Sequence, residues 1–164
     1  MRAASDGPGK GARFTVRLPA VAAPGATRAA LSGGAARPAA ARSVVLVEDM
    51  DDARTSLQHV LERAGHRVLA AHDGAEGLQK IMDSRPDVAL VDIGLPQMDG
   101  YELARRVRAS GAQTYLVAVT GYGLASDQER ARRAGFDAHL TKPASMALLL
   151  DTIANAPARM RRAS

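Results

Sequence analysis

From residue 43 onward, short apolar runs alternate with segments whose apolar positions recur at helical spacing, so strands and helices are expected in turn. The run Ser43 to Val47 is too apolar for a strand with one wet face and suits the middle of a parallel sheet covered on both sides. Residues 52–64 then place Leu57, Val60, Leu61 and Ala64 on one helical face, with Gly65 as the stop. A second strand is predicted at Arg67 to Ala71, and a second helix, marked by Leu78, Ile81 and Met82, ends before Pro86. The third strand is expected at Asp87 to Val91. Asp99 caps a third helix whose inner positions are Leu103, Ala104 and Val107, and Gly111 ends it. A fourth strand, Thr114 to Val119, precedes a polar fourth helix, Ser126 to Ala134, closed by Gly135. Asp137 to Leu140 reads as a short fifth strand, and Met146, Leu149, Leu150 and Ile153 mark a last helix after Pro143. Strands alternating with helices imply βαβ crossovers, hence an α/β fold with a doubly wound five-stranded parallel sheet and five helices.

Upstream the pattern is different. Residues 19–42 consist almost wholly of Ala, Pro, Gly, Ser and Arg with no repeating apolar face, the composition of a flexible linker. Charge sharpens this division. The net charge of +5 comes from the ends: residues 1–42 hold seven Lys/Arg against one acid, and 159–164 hold three Arg. Residues 43–158 hold 12 basic and 16 acidic residues, so the folded part is acidic. Phe14 is the one aromatic residue among the terminal arginines, too few for a stacking surface, so these are read as solvated arms, and nucleic acid is not an expected partner. A DNA-binding regulator acting through its Arg-rich ends is kept only as a rival. Cysteine is absent, which removes thiolate ligands and cysteine nucleophiles. No apolar stretch approaches the roughly 18 residues of a membrane helix, and a soluble cytoplasmic protein without membrane contact is expected.

In an open α/β sheet, ligands settle beyond the carboxyl ends of the strands. Glu48 and Asp49 are predicted just after the first strand, Asp92 just after the third, Thr120 after the fourth and Lys142 after the fifth. Singly, each is a turn or cap residue. Together they form a constellation. Converging carboxylates repel one another, and a hard oxygen-seeking cation such as magnesium relieves that repulsion. A lysine and a threonine hydroxyl facing the cation suit phosphoryl oxygens, and a carboxylate held in line can act as nucleophile.

The segments VVLVEDMDDAR, DVALVDIGLPQMDGYELARRVR, VAVTGYG and GFDAHLTKPA resemble, in order and spacing, the receiver domains of two-component systems over about residues 43–157. The resemblance implies the flavodoxin-like receiver fold, with Asp92 as phosphoacceptor and Thr120 and Lys142 as ligands of phosphoryl oxygens. It implies a Mg2+ (or Mn2+) ion held by Glu48, Asp49, Asp92 and the carbonyl of Gly94, and a cis peptide at Lys142-Pro143. Its partner would be a histidine kinase or a histidine phosphotransfer protein. Receivers often carry Tyr or Phe three residues before the conserved Lys, as the switch partner of Thr120. This chain has His139 there, which takes the switch position with Thr120 and is read as a surface or packing residue and not as a pH sensor. Gly94 and Tyr122 flank the path of an attacking water, so hydrolysis of the phosphoform is expected to be unblocked on the Gly94 side.

SDGPGKGARFTVRLP resembles the end of a histidine-kinase ATP-binding domain, with a final strand from Phe14 to Leu18. The implied arrangement is the C-terminal receiver of a hybrid sensor kinase: 1–18 a remnant without structure of its own, 19–42 a linker, 43–157 the receiver, 158–164 a basic tail. Kinase activity is not expected. The other rival is a phosphohydrolase of similar topology with an aspartate nucleophile, although such enzymes place that residue after the first strand, and here it follows the third.

Overall fold

The computed structural model describes residues 2–4, 7, 11, 13–15, 41–121 and 125–157. Two compact units are present, Met1–Ala36 and Arg37–Ser164. In the first, β1 (Arg2–Ala4) pairs antiparallel with β2 (Arg13–Thr15), with Ala3 opposite Phe14. The expectation that residues 1–18 have no structure of their own is therefore corrected for these two strands. Gly7 and Gly11, at φ of 119° and 76°, supply backbone conformations that other residues resist, and they lie between the paired strands. Of the expected strand Phe14 to Leu18, the first two residues lie in β2, and the rest, like most of the linker and the basic tail, lie outside the described residues.

The second unit is an α/β sandwich. Its strands are β3 (Ser43–Val47), β4 (Arg67–Ala71), β5 (Val88–Asp92), β6 (Tyr115–Thr120) and β7 (Ala138–Thr141). All pair in parallel, in the order β4-β3-β5-β6-β7. The helices between and after them are α1 (Asp51–Arg63), α2 (Gly74–Ser84), α3 (Gly100–Ala109), α4 (Ala125–Ala134) and α5 (Met146–Ala154).

Successive strand residues point to opposite faces, so each central strand feeds two cores. Val45, Val47, Ala89 and Val91 pack with Ile81, Leu103, Val107 and Ala131 beneath α2, α3 and α4. Val44, Leu46, Val88 and Leu90 pack with Leu61, Leu149 and Ile153 beneath α1 and α5. This double burial explains why the strand runs are almost continuously apolar. Polar ends fix where the helices begin. Asp73, Asp99 and Ser145 accept the backbone N–H of Glu76, Glu102 and Leu148 respectively. Gly65, Gly111 and Gly135 follow α1, α3 and α4 at positive φ, as a left-handed helix stop requires. Met82 is only partly covered, its sulfur accepting a hydrogen bond from the Ser110 hydroxyl.

Pairing runs one residue further than the apolar pattern suggested. Asp92 and Thr120 are the last residues of β5 and β6, not the first of their loops. Asp92 pairs with Val119 and Thr120 with Thr141, so neighbouring strands hold both polar side chains in the ladder. No helix among the described residues is long and apolar enough to cross a membrane.

Candidate functional site

Glu48, Asp49, Asp92, Gly94, Thr120 and Lys142 sit at the carboxyl edge of the sheet or in the loop just past it, and His139 lies within β7. Glu48 follows β3, and its backbone N–H donates to Ala71 at the end of β4, extending the ladder by one step. Its side chain is buried, at 3% exposure. Asp49 beside it is exposed. Asp92 ends β5, and Lys142 follows β7 with its N–H on the Thr120 carbonyl at 2.6 Å.

The side chains converge. Lys142 Nζ lies 2.7 Å from Glu48 Oε2 and 2.7 Å from Asp92 Oδ2. Burial alone would lower the pKa of this ammonium, but hydrogen bonds and charge from Asp92 and Glu48 outweigh it and hold the lysine above its ordinary value. Glu48, Asp49 and Asp92 each offer a carboxylate oxygen, and these atoms lie within 4.8 Å of one another. Lys142 engages one oxygen of Glu48 and one of Asp92. The three carboxylates thus supply an all-oxygen donor set within one small volume, and such a set fits a magnesium-like ion. Asp92 Oδ1 also accepts the N–H of Gly94 at 3.0 Å.

Thr120 and His139 meet across β6 and β7. The hydroxyl Oγ1 is 3.0 Å from Nε2 of the imidazole. Lys142-Pro143 is cis, as expected. Tyr122 lies outside the described residues.

Two supporting residues escaped sequence reading. Gly100 opens α3 where the helix crosses the end of β5: a Cβ there would sit 2.6 Å from the Asp92 carbonyl oxygen and 3.0 Å from Ile93 Cα. Glycine directly after the capping Asp99 was a usable signal. The other is Arg54, whose guanidinium donates to the carbonyls of Glu48 and Asp49 at 2.9 and 3.3 Å. Its signal was a cation in the first turn of a helix, where the macrodipole favours anions.

Residues 44–154 match the family described as the response regulator receiver domain. The chain is similar to the sensor histidine kinase RcsC of Salmonella typhimurium, 32% identical over 119 residues, which cover 73% of this chain and 13% of the kinase. It is also similar to the polar-differentiation response regulator DivK of Brucella anthropi, 30% identical over 114 residues, covering 68% of this chain and 93% of that protein. Among solved structures, the chemotaxis protein CheY4 of Vibrio cholerae matches with a TM-score of 0.68 and 29% identity over 72% of this chain and 100% of that one. A receiver domain protein from Methanospirillum hungatei matches with a TM-score of 0.65 and 32% identity, over 69% and 90%.

Proposed function

Because the chain belongs to the response regulator receiver domain family, phosphoacceptor modules of two-component signalling, we propose that Asp92 is its phosphorylation site and a phosphohistidine its donor. The observation that carries this reading is Lys142 bridging Glu48 and Asp92 at 2.7 Å each, with Asp49 completing the acidic cluster. A carboxylate oxygen of Asp92 attacks phosphorus. The new O–P bond forms as the N–P bond of the donor breaks, and the released imidazole is protonated from solvent. Lys142 moves its hydrogen bond from the carboxylate to a phosphoryl oxygen, and the Thr120 hydroxyl donates to another. A Mg2+ or Mn2+ ion, held by Glu48, Asp49, Asp92 and the Gly94 carbonyl, would neutralise the charge that develops.

The donor is a histidine kinase or a histidine phosphotransfer protein in a cytoplasmic relay. The module is a phosphoacceptor and not an enzyme acting on an external small molecule. The similarity to a sensor histidine kinase supports a hybrid-kinase setting, with 1–18 the end of an ATP-binding domain, 19–42 the linker, 43–157 the receiver and 158–164 a basic tail. The output is a shift of population: Thr120 drawn toward the phosphoryl group alters the face formed by α4, β7 and α5.

Incubation with acetyl phosphate and Mg2+ tests the reading. One phosphoryl group per chain, lost in Asp92→Asn and absent without metal, is the expected result. Sustained turnover of phosphate esters, or label that survives Asp92→Asn, would overturn it.

A further inference from the structure

The acidic loop between β3 and α1 lacks the usual means of being held in place. The N-cap of α1 is Met50, which makes no side-chain cap, and the Met50 N–H reaches only Glu48 Oε1, at 3.4 Å. Glu48 and Asp49 still have to project toward Asp92 against the repulsion of three carboxylates. Something behind the loop must fix its main chain.

Arg54 occupies that position. Nη1 donates to the carbonyl of Glu48 at 2.9 Å and to that of Asp49 at 3.3 Å, so one planar group grips both residues that would hold the ion. Nη2 pairs with Asp51, one turn earlier on α1. The arginine side chain is 18% exposed whereas Asp51 is 86% exposed, so the guanidinium is packed under the loop while its counter-ion stands in water. A cation in the first turn of a helix opposes the macrodipole, and the two carbonyls it satisfies repay that cost. Lys142 and Arg54 therefore contact the acidic loop differently, Lys142 through the Glu48 carboxylate and Arg54 through the Glu48 and Asp49 carbonyls.

We propose that Arg54 is a positioning residue that presets Glu48 and Asp49 for a divalent cation by clamping their backbone carbonyls. The proposal rests on the metal site assigned under the proposed function. Its effect is on cation affinity. Partners of metal ligands typically contribute 10- to 100-fold in affinity.

Mn2+ binding to the full chain, read by electron paramagnetic resonance of the free ion, tests it without reference to phosphorylation. Arg54→Ala is expected to weaken Mn2+ binding at least tenfold. Arg54→Lys keeps the charge but puts an ammonium on a shorter stem in place of the Nη1 that meets both carbonyls, and should lose most of the same affinity; it also serves should Arg54→Ala fail to fold. Asp51→Ala, which leaves both carbonyl bonds in place, should stay within about threefold of the parent protein. Binding by folded Arg54→Lys at the parent affinity would overturn the clamp. Failure of the parent chain to bind Mn2+ at millimolar concentration would instead sink the metal site itself, so the two failures are distinguishable.

Discussion

The Thr120 hydroxyl and Nε2 of His139 stand 3.0 Å apart because of sheet register. Ala118 pairs with His139 and Thr120 with Thr141, which sets Thr120 and His139 on the same face of adjacent parallel strands, one diagonal step apart. The contact engages the same hydroxyl that a phosphoryl oxygen would take, so the two compete for Thr120. We predict that His139→Phe, which keeps a ring and removes the partner, raises the rate of labelling by acetyl phosphate about fivefold, the equivalent of about 1 kcal/mol for one neutral hydrogen bond. His139→Gln, which keeps a polar terminus, should stay near the parent rate. Equal rates in parent and Phe variant would show that the contact does not restrain Thr120.

Gly94 leaves one side of Asp92 open. A Cβ at Gly94 would come 3.7 Å from Asp92 Oδ1, ordinary contact, so a side chain is accommodated next to the acceptor. Gly94→Asn or Gly94→Met should lengthen the lifetime of the phosphoform several-fold by obstructing water, about 1 kcal/mol on the hydrolysis barrier. Loss of radiolabel from purified phosphoprotein measures it. Unchanged lifetimes would mean that the attacking water arrives by another route.

Gly100 is a different case, since the atoms its Cβ would meet belong to the backbone. Neither the Asp92 carbonyl nor Ile93 Cα can swing aside as a side chain does. Gly100→Ala is predicted to cost about 2 kcal/mol of stability, in the range of overpacked interiors, and to slow phosphorylation by displacing the end of β5. Urea denaturation together with the labelling rate checks both effects.

The start of α2 contains an acid-sensitive tie. Glu76 accepts from Lys80 Nζ at 2.6 Å and from the His72 N–H at 2.8 Å, and these bonds draw its pKa from 4.5 down to about 2. A carboxylate with a depressed folded-state pKa contributes stability fully above its unfolded value and loses it as pH falls through the folded one. Glu76→Gln should therefore be less stable than the parent at pH 7, and the gap should close between about pH 5 and pH 2. Urea midpoints measured across that range give the test, and a constant gap would contradict it. Other acids with lowered pKa values, Glu102 and Glu129, remain in both proteins and cancel in the difference.

The order of strands and helices was readable because burial on both faces leaves unbroken apolar runs in β3 and β5, and because Asp99 and the glycines after α1, α3 and α4 mark helix ends chemically. Strand ends were less legible. A polar residue closing an apolar run looks like a loop, yet Asp92 and Thr120 continue the ladder, with the Ile93 N–H on the Val119 carbonyl at 3.1 Å. The acidic cluster was foreseeable from carboxylates at strand ends. Arg54 was not identified, because its partners are backbone carbonyls, which every residue carries and no residue type announces. His139 was legible as a switch position from its spacing before Lys142, whereas its direct hydrogen bond to Thr120 was not, because that depends on the pairing of β6 with β7.

Arg42, the last residue before β3, donates from its guanidinium to the carbonyl of Ala156 at 2.7 Å, and its own carbonyl accepts the N–H of Arg67 at 2.8 Å. The point where the chain enters this fold and the point where it leaves are thus fastened together on one side of it. A module with its two ends side by side can be spliced into a larger protein like a bead on a loop, since the host chain resumes close to where it was interrupted.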